Sequence, residues 1–201
     1  MVWVKIKKTP NDMAFWNLVS GFVINCPSCR KKSISYGTDE KGKKKHKTVY
    51  EPVSVRNSTF RSRGVSDHLL TTLLLQIKKP LEKNNTYSPL ECAASVDATV
   101  KNILETSSLS DHYYDLIVFH RRSEMSDIEA IFYYIRNSFA HGSFEVIEAT
   151  PERVYKFESS KGDTLAAQMR LKESTLIRYL ELSLYTASQV KELQKTGKKR
   201  P

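Results

Sequence analysis

Arg136 and His141 stand five positions apart in the stretch Tyr133-Tyr134-Ile135-Arg136-Asn137-Ser138-Phe139-Ala140-His141-Gly142, with Asn137 directly beside the arginine. Arginine is a permanent cation whose planar fork of donors fits a phosphate. Histidine is the side chain best suited to moving protons near neutral pH. Together they form a minimal kit for cleaving a phosphodiester without a metal. The same residues admit a second reading, because cations in the last turn of a helix suit its negative end and a glycine after them is ordinary capping.

A helix has to carry these groups. From Ser126 to Ala140 the apolar positions Ile128, Ile131, Phe132, Ile135 and Phe139 recur at helical spacing. Ser126 is a natural N-cap, and Asp127 and Glu129 follow in the first turn, where acids suit the helix dipole. Gly142 fits the left-handed position past the last helical residue. At 3.6 residues per turn Asn137 and His141 fall on nearly one line, whereas Arg136 is rotated about 140° from His141. One straight helix therefore does not aim both groups at one point. A wrapped arginine stem or an unwound last turn could bring them together, but the spacing favours a composite site completed by a second copy of the helix.

The string Arg136-Asn137-Ser138-Phe139-Ala140-His141-Gly142 resembles the signature of the HEPN superfamily: an arginine, a polar residue such as asparagine, and a histidine after four to six intervening residues. Here four intervene, Asn137 to Ala140. Phe144 to Ala149 and Val154 to Glu158 read as a short β-hairpin, and Leu171 to Leu176 leads into a last amphipathic helix. That order is similar to HEPN proteins of bacterial toxin–antitoxin and anti-phage loci, over about Ser88 to Leu193. The resemblance implies a mainly α fold: a HEPN-like helical bundle with a short β-hairpin before the last helix. It also implies a homodimer in which two Arg–His motifs face each other and cleave RNA without a metal. Some members of the superfamily bind without cleaving. On this reading His141 is the general acid/base, Arg136 the phosphate clamp and Asn137 the polar partner that orients them. Two histidines would serve as base and acid while two arginines hold the phosphate. A ribose 2′-hydroxyl would attack the adjacent phosphate, leaving a 2′,3′-cyclic end. A cognate antitoxin, protein or RNA, is a further implied partner.

The composition agrees with a polyanionic partner. The chain has 201 residues, a 40% hydrophobic content that can support a core, and a net charge of +10. His120-Arg121-Arg122 lies just ahead of the motif helix, and Arg121 and Arg122 are the expected contacts to RNA backbone. Tyr133 precedes Arg136 by nearly a turn and could stack on a base, although a core or dimer-interface role is the more ordinary one for a tyrosine. Lys41 to Lys47 holds six potential cations around Gly42 and reads first as a solvated loop between strands, second as a phosphate-contacting arm. Lys198-Lys199-Arg200 reads as a frayed end.

No apolar run approaches the roughly 20 residues that a spanning helix needs, and lysines interrupt Val2, Trp3, Val4 and Ile6, so no secretory h-region is expected. Three cysteines suit a reducing compartment, so a cytoplasmic protein without a membrane partner is expected. Cys26-Pro27-Ser28-Cys29 resembles one knuckle of a zinc ribbon, but Cys92, His46 and His68 offer no second pair at fitting distance. No metal and no cofactor are expected.

The periodicities divide the chain into a mixed α/β N-terminal extension with a basic loop (1–63), a helical domain (64–195) that the resemblance marks as HEPN-like, and a basic tail (196–201). In the extension, Val2 to Lys7 reads as a strand, Asn11 or Asp12 caps a helix through Phe22, and Ser33 to Tyr36 and Val49 to Val55 read as strands. In the helical domain, helices are expected from Ser66 to Pro80, from Ser88-Pro89 through Leu104, from Ser110 through Phe119, over the motif, and from Ser174 to Leu193.

Overall fold

The computed structural model describes residues 10–54, 56, 58–107 and 114–198. Within them the sequence expectation of a mainly α, HEPN-like bundle does not hold. The described residues form six α-helices and seven strands, five of the strands in one sheet of order β3-β4-β7-β6-β5. The expected strand over Val2 to Lys7 and the Lys199-Arg200 end lie outside the described residues.

The N-terminal part begins with α1 (Pro10–Ile24), whose Phe15, Val19 and Phe22 are buried. The Cys26-Pro27-Ser28-Cys29 turn then leads into an antiparallel hairpin of β1 (Cys29–Thr38) and β2 (Lys44–Pro52). The lysine run is therefore only partly a loop, because Lys44, Lys45 and Lys47 lie in β2. A short 3-10 turn (Arg61–Arg63) precedes α2 (Asp67–Glu82), which carries Pro80 in its last turn.

The departures from the expected bundle come next. Tyr87–Leu90 is strand β3 rather than the start of a helix, and α3 (Val96–Thr106) begins only after Ser95, whose side chain accepts from the Ala98 N–H. The segment Leu116–His120 is strand β4, not a short helix. Its proposed capping residues, Ser110 and Asp111, lie outside the described residues. β3 and β4 run parallel with α3 as the crossover between them.

All five residues of β4 are buried. Ile117 and Phe119 enter the main core, while Leu116 and Val118 pack under α3 with Val96, Val100 and Ile103. A strand covered on both faces shows no alternation of apolar and polar residues.

The motif helix α4 (Asp127–His141) forms as expected and lies across the main-core face of the sheet. β5 (Phe144–Ile147) and β6 (Val154–Lys161) form the expected hairpin, and β7 (Thr164–Lys172) joins it to β4. The last helical stretch is two helices, α5 (Glu173–Leu182) and α6 (Ala187–Lys198). They part at Thr186, whose N–H and hydroxyl both donate to the Gln189 side chain, a helix start in the middle of an apolar periodicity.

One hydrophobic core unites the two parts. Phe132 of α4 meets Phe22 of α1 with ring centroids 5.9 Å apart and Phe60 at 5.8 Å. Phe15, Val19, Cys26 and Phe60 share that core with Leu73, Ile135, Phe157 and Leu180. No helix among the described residues is long and apolar enough to cross a membrane.

Candidate active site

The two ends of α4 are fixed by different chemistry. At its start, the Glu129 carboxylate accepts from the Ser126 N–H at 3.2 Å and the Ser126 hydroxyl at 2.6 Å, the acidic half of a capping box. At its end, Gly142 adopts φ +68, a conformation open to glycine and strained for a side chain. The Gly142 N–H donates to the Phe139 carbonyl at 3.4 Å and the Ser143 N–H to the Ser138 carbonyl at 2.8 Å, the paired bonds of a Schellman motif. The Ser138 hydroxyl then donates to the Glu158 carbonyl at 2.9 Å, which ties the end of α4 to β6. His141 is thereby held on a rigid element rather than on a loose loop.

Tyr133, Asn137 and His141 follow one another at four-residue spacing and line one face of α4. With Ser143, Glu158, Ser159 and Ser160 they enclose a polar cleft of about 450 Å³. His141 is exposed there, and Asn137 and Tyr133 are half-buried. Arg136 does not line this cleft. Its Nε lies 3.5 Å from the Val23 carbonyl at the end of α1, and its Nη1 donates to Asn137 Oδ1 at 3.1 Å. Asn137 thus contacts Arg136 and shares the cleft with His141 within one chain.

Of the candidate RNA contacts, Arg122 and Tyr133 come together and Arg121 stands apart. The Arg122 guanidinium sits over the Tyr133 ring at 4.6 Å and is oriented by Glu124 at 2.8 Å from its Nε. Arg121 is held instead by Glu91 at 3.2 Å and Asp127 at 3.4 Å. Asp127 opens α4, so at 1.5 Å per residue Arg121 sits on the order of 20 Å from His141.

The sequence reading missed one residue beside this site and one at the start of α4. Arg30 sits 5.5 Å from the Tyr133 ring centroid and reaches its hydroxyl at 3.4 Å, giving that tyrosine a second cation. No spacing in the sequence joins Arg30 to a helix 103 residues away. Glu129 is the other, 1% exposed rather than a solvated first-turn acid. The Cys29 thiol donates to Glu129 Oε1 at 3.1 Å and Arg61 Nε approaches it at 3.9 Å. The interval Ser126-x-x-Glu129 was the available signal for that role.

The Cys26–Cys29 turn is a packing element for α4. The Ser28 hydroxyl donates to the Glu129 carbonyl at 2.6 Å and the Cys26 thiol to the Phe132 carbonyl at 3.7 Å. Among the described residues no three His, Cys, Asp or Glu side chains gather as a metal site. Burial pushes the Cys26 thiol up to about 11 and the Cys29 thiol up to about 12, with the Glu129 carboxylate adding to the second. Both thiols hold their protons more tightly folded than unfolded. Their contribution to stability is therefore complete below the ordinary value of 9.0, declines above it as the unfolded thiols ionise, and is gone once pH has risen through about 11 and about 12. Denaturant midpoints taken from pH 7.5 to 10.5 (on the order of three pH steps) should fall at the alkaline end, and less so in a Cys26→Ala/Cys29→Ala protein. Parallel slopes for the two proteins would contradict this assignment.

Beside the cleft, Trp16, Val19, Val23 and Ile24 of α1 and Phe139 and Phe144 line an open apolar groove of about 470 Å³. It adjoins the Val23 carbonyl on which Arg136 rests.

No protein-family model, curated protein or solved structure matches this chain.

Proposed function

We propose that this chain is an endoribonuclease that uses an Arg–His motif of the HEPN type, set on an α/β scaffold, and that it acts as a homodimer in the cytoplasm. The observation that carries the proposal is the polar cleft in which His141, Asn137 and Tyr133 open together while Asn137 also accepts a hydrogen bond from Arg136. A phosphate placed at His141 needs a cation to balance its developing charge. The Arg136 of the same chain lies at the end of α1 and does not line the cleft, so the clamp has to come from a second copy set across the cleft. The apolar groove of α1, Phe139 and Phe144 gives that second copy a surface beside the site.

In the reaction the 2′-oxygen bonds to the adjacent phosphorus and the bond to the 5′-oxygen breaks. One His141 takes the 2′-hydroxyl proton and the His141 of the second copy returns a proton to the leaving 5′-oxygen. The products are a 2′,3′-cyclic phosphate and a 5′-hydroxyl. The Arg136 of the second copy neutralises the non-bridging oxygens. The biological setting we infer is a toxin–antitoxin or anti-phage system, with an antitoxin, protein or RNA, as the natural restraint.

The test is incubation of RNA and of single-stranded DNA of the same sequence with the purified protein in excess chelator. Cleavage of RNA alone, with cyclic-phosphate ends, is the expected outcome. Cleavage that the chelator abolishes, or that also degrades the DNA, would contradict the chemistry.

A second reading has its own observation. Arg136 on the Val23 carbonyl is a helix-capping contact, which fits a catalytically inactive HEPN-type module that binds RNA or a protein partner. In that case Arg136→Ala lowers stability by about 1 kcal/mol and leaves no cleavage to lose.

A further inference from the structure

The β1–β2 hairpin holds eight Lys and Arg residues against three acids within 29–52, half of the net charge of the whole chain. From Lys31 to Thr48 every residue but Asp39 is exposed, so the hairpin has a fixed base and a bare stem. The base is anchored at both strands. The Lys31 N–H donates to the Glu124 carbonyl at 2.7 Å, and the Arg61 guanidinium lies 3.7 Å from the Tyr50 ring centroid. The tip is shaped as well: Asp39 Oδ1 accepts from the Lys41 and Lys43 N–H groups at 2.9 and 2.8 Å, and Gly42 takes φ +76.

The register sorts the charges by face. Cross-strand partners in an antiparallel pair share a face, and successive residues alternate. The pairs Arg30↔Glu51, Lys32↔Val49, Ile34↔Lys47 and Gly37↔Lys45 therefore place Arg30, Lys32, Lys45 and Lys47 on one face, with Glu51 as its one acid. Glu51 is already matched by Lys32 at 2.6 Å. The lowest member of that row, Arg30, is the residue that touches Tyr133, and Tyr133 lines the cleft of His141. A line of cations thus runs from the hairpin stem to the cleft.

We propose that the β1–β2 hairpin is a binding arm for the RNA backbone, its Lys32–Lys45–Lys47 face guiding the strand over Arg30 and Tyr133 into the cleft of His141. The arm's partner rests on the ribonuclease reading above, and two charge features favour RNA. The row is almost purely cationic, and it ends on a tyrosine flanked by two guanidinium groups, a surface on which an unpaired base can stack.

The test is binding of a fluorescein-labelled single-stranded RNA, read by anisotropy across a salt series in chelator. Every protein carries His141→Ala so that the RNA stays whole. Lys45→Ala/Lys47→Ala should raise Kd about tenfold near physiological salt and make the salt dependence shallower by about 1 to 1.5 in log–log slope. Lys45→Arg/Lys47→Arg should retain binding, and so should Lys79→Ala/Lys191→Ala, which removes equal charge from exposed positions on α2 and α6. Unchanged affinity in the hairpin alanine pair, or an equal loss in the α2/α6 pair, would overturn the arm. So would binding of the protein to phosphatidylserine vesicles in place of RNA. If the hairpin pair weakens RNA binding while the native protein never cuts RNA, the arm stands and the nuclease reading falls. If the native protein cuts RNA but the hairpin pair binds it as well as before, the nuclease reading stands and the arm falls.

Discussion

His141→Ala is expected to lower RNA cleavage by about 10²- to 10⁴-fold, the usual contribution of a positioned acid or base. The fold should not notice the change. His141 is exposed, and its position is set by backbone bonds at Gly142 and Ser143 rather than by its ring, so stability should stay within about 0.5 kcal/mol of wild type. The two readouts together separate chemistry from folding. Initial rates on a labelled RNA, taken beside a denaturant unfolding curve, provide both. A variant that cuts as fast as wild type removes His141 from the mechanism.

Glu129→Ala should have the largest effect on stability, on the order of 3 to 5 kcal/mol. The carboxylate is buried and serves three partners: the Ser126 cap, the Cys29 thiol and the Arg61 guanidinium. Its removal leaves a half-formed capping box at the start of α4. It also leaves a buried thiol without its acceptor, and an arginine whose remaining acidic neighbour among the described residues is Asp67 at 2.5 Å. Glu129→Gln keeps the shape and part of the hydrogen bonding and should lose less. Equilibrium unfolding of both variants checks the order, and equal stability of wild type and Glu129→Ala would show that the cluster holds nothing together. Because Cys29 and Arg61 lie in the N-terminal part of the chain and Glu129 in α4, this prediction also measures how firmly that part braces the motif helix.

The motif helix was legible in the sequence for physical reasons. It has an apolar stripe at helical period, a serine at its start and a glycine at its end, and each of these does locally what its chemistry suggests. The β5–β6 hairpin was legible too. The sheet's other members were not. Leu116-Ile117-Val118-Phe119 is too short for length to decide between helix and strand, and a strand buried on both faces shows no alternation. Ser88-Pro89 imitates a helix start, but among the described residues β3 pairs only with β4. A proline is tolerated on such an edge, where no further neighbour needs its missing N–H. These two segments carried the reading of the chain as a helical bundle, and their strand state is what overturns it.

The site was legible in part. Asn137 and His141 share a face as the helical angle dictates, and Arg136 departs from that face as the same angle dictates. Arg122 reaches Tyr133, whereas Arg121 is taken up by Glu91 and Asp127, acids whose proximity depends on the fold. Arg30 could not be found from local pattern, since only the return of β1 to the α4 surface brings it to Tyr133.

The central claim is that one subunit alone does not complete the site. A fixed amount of wild-type protein, allowed to exchange subunits with about a tenfold excess of the His141→Ala protein before assay, measures it directly. If the site needs both copies, nearly every wild-type subunit is paired with an inactive one, and cleavage of saturating RNA should fall about tenfold. Wild-type cleavage unchanged by the excess would place the whole reaction within a single chain and contradict the account.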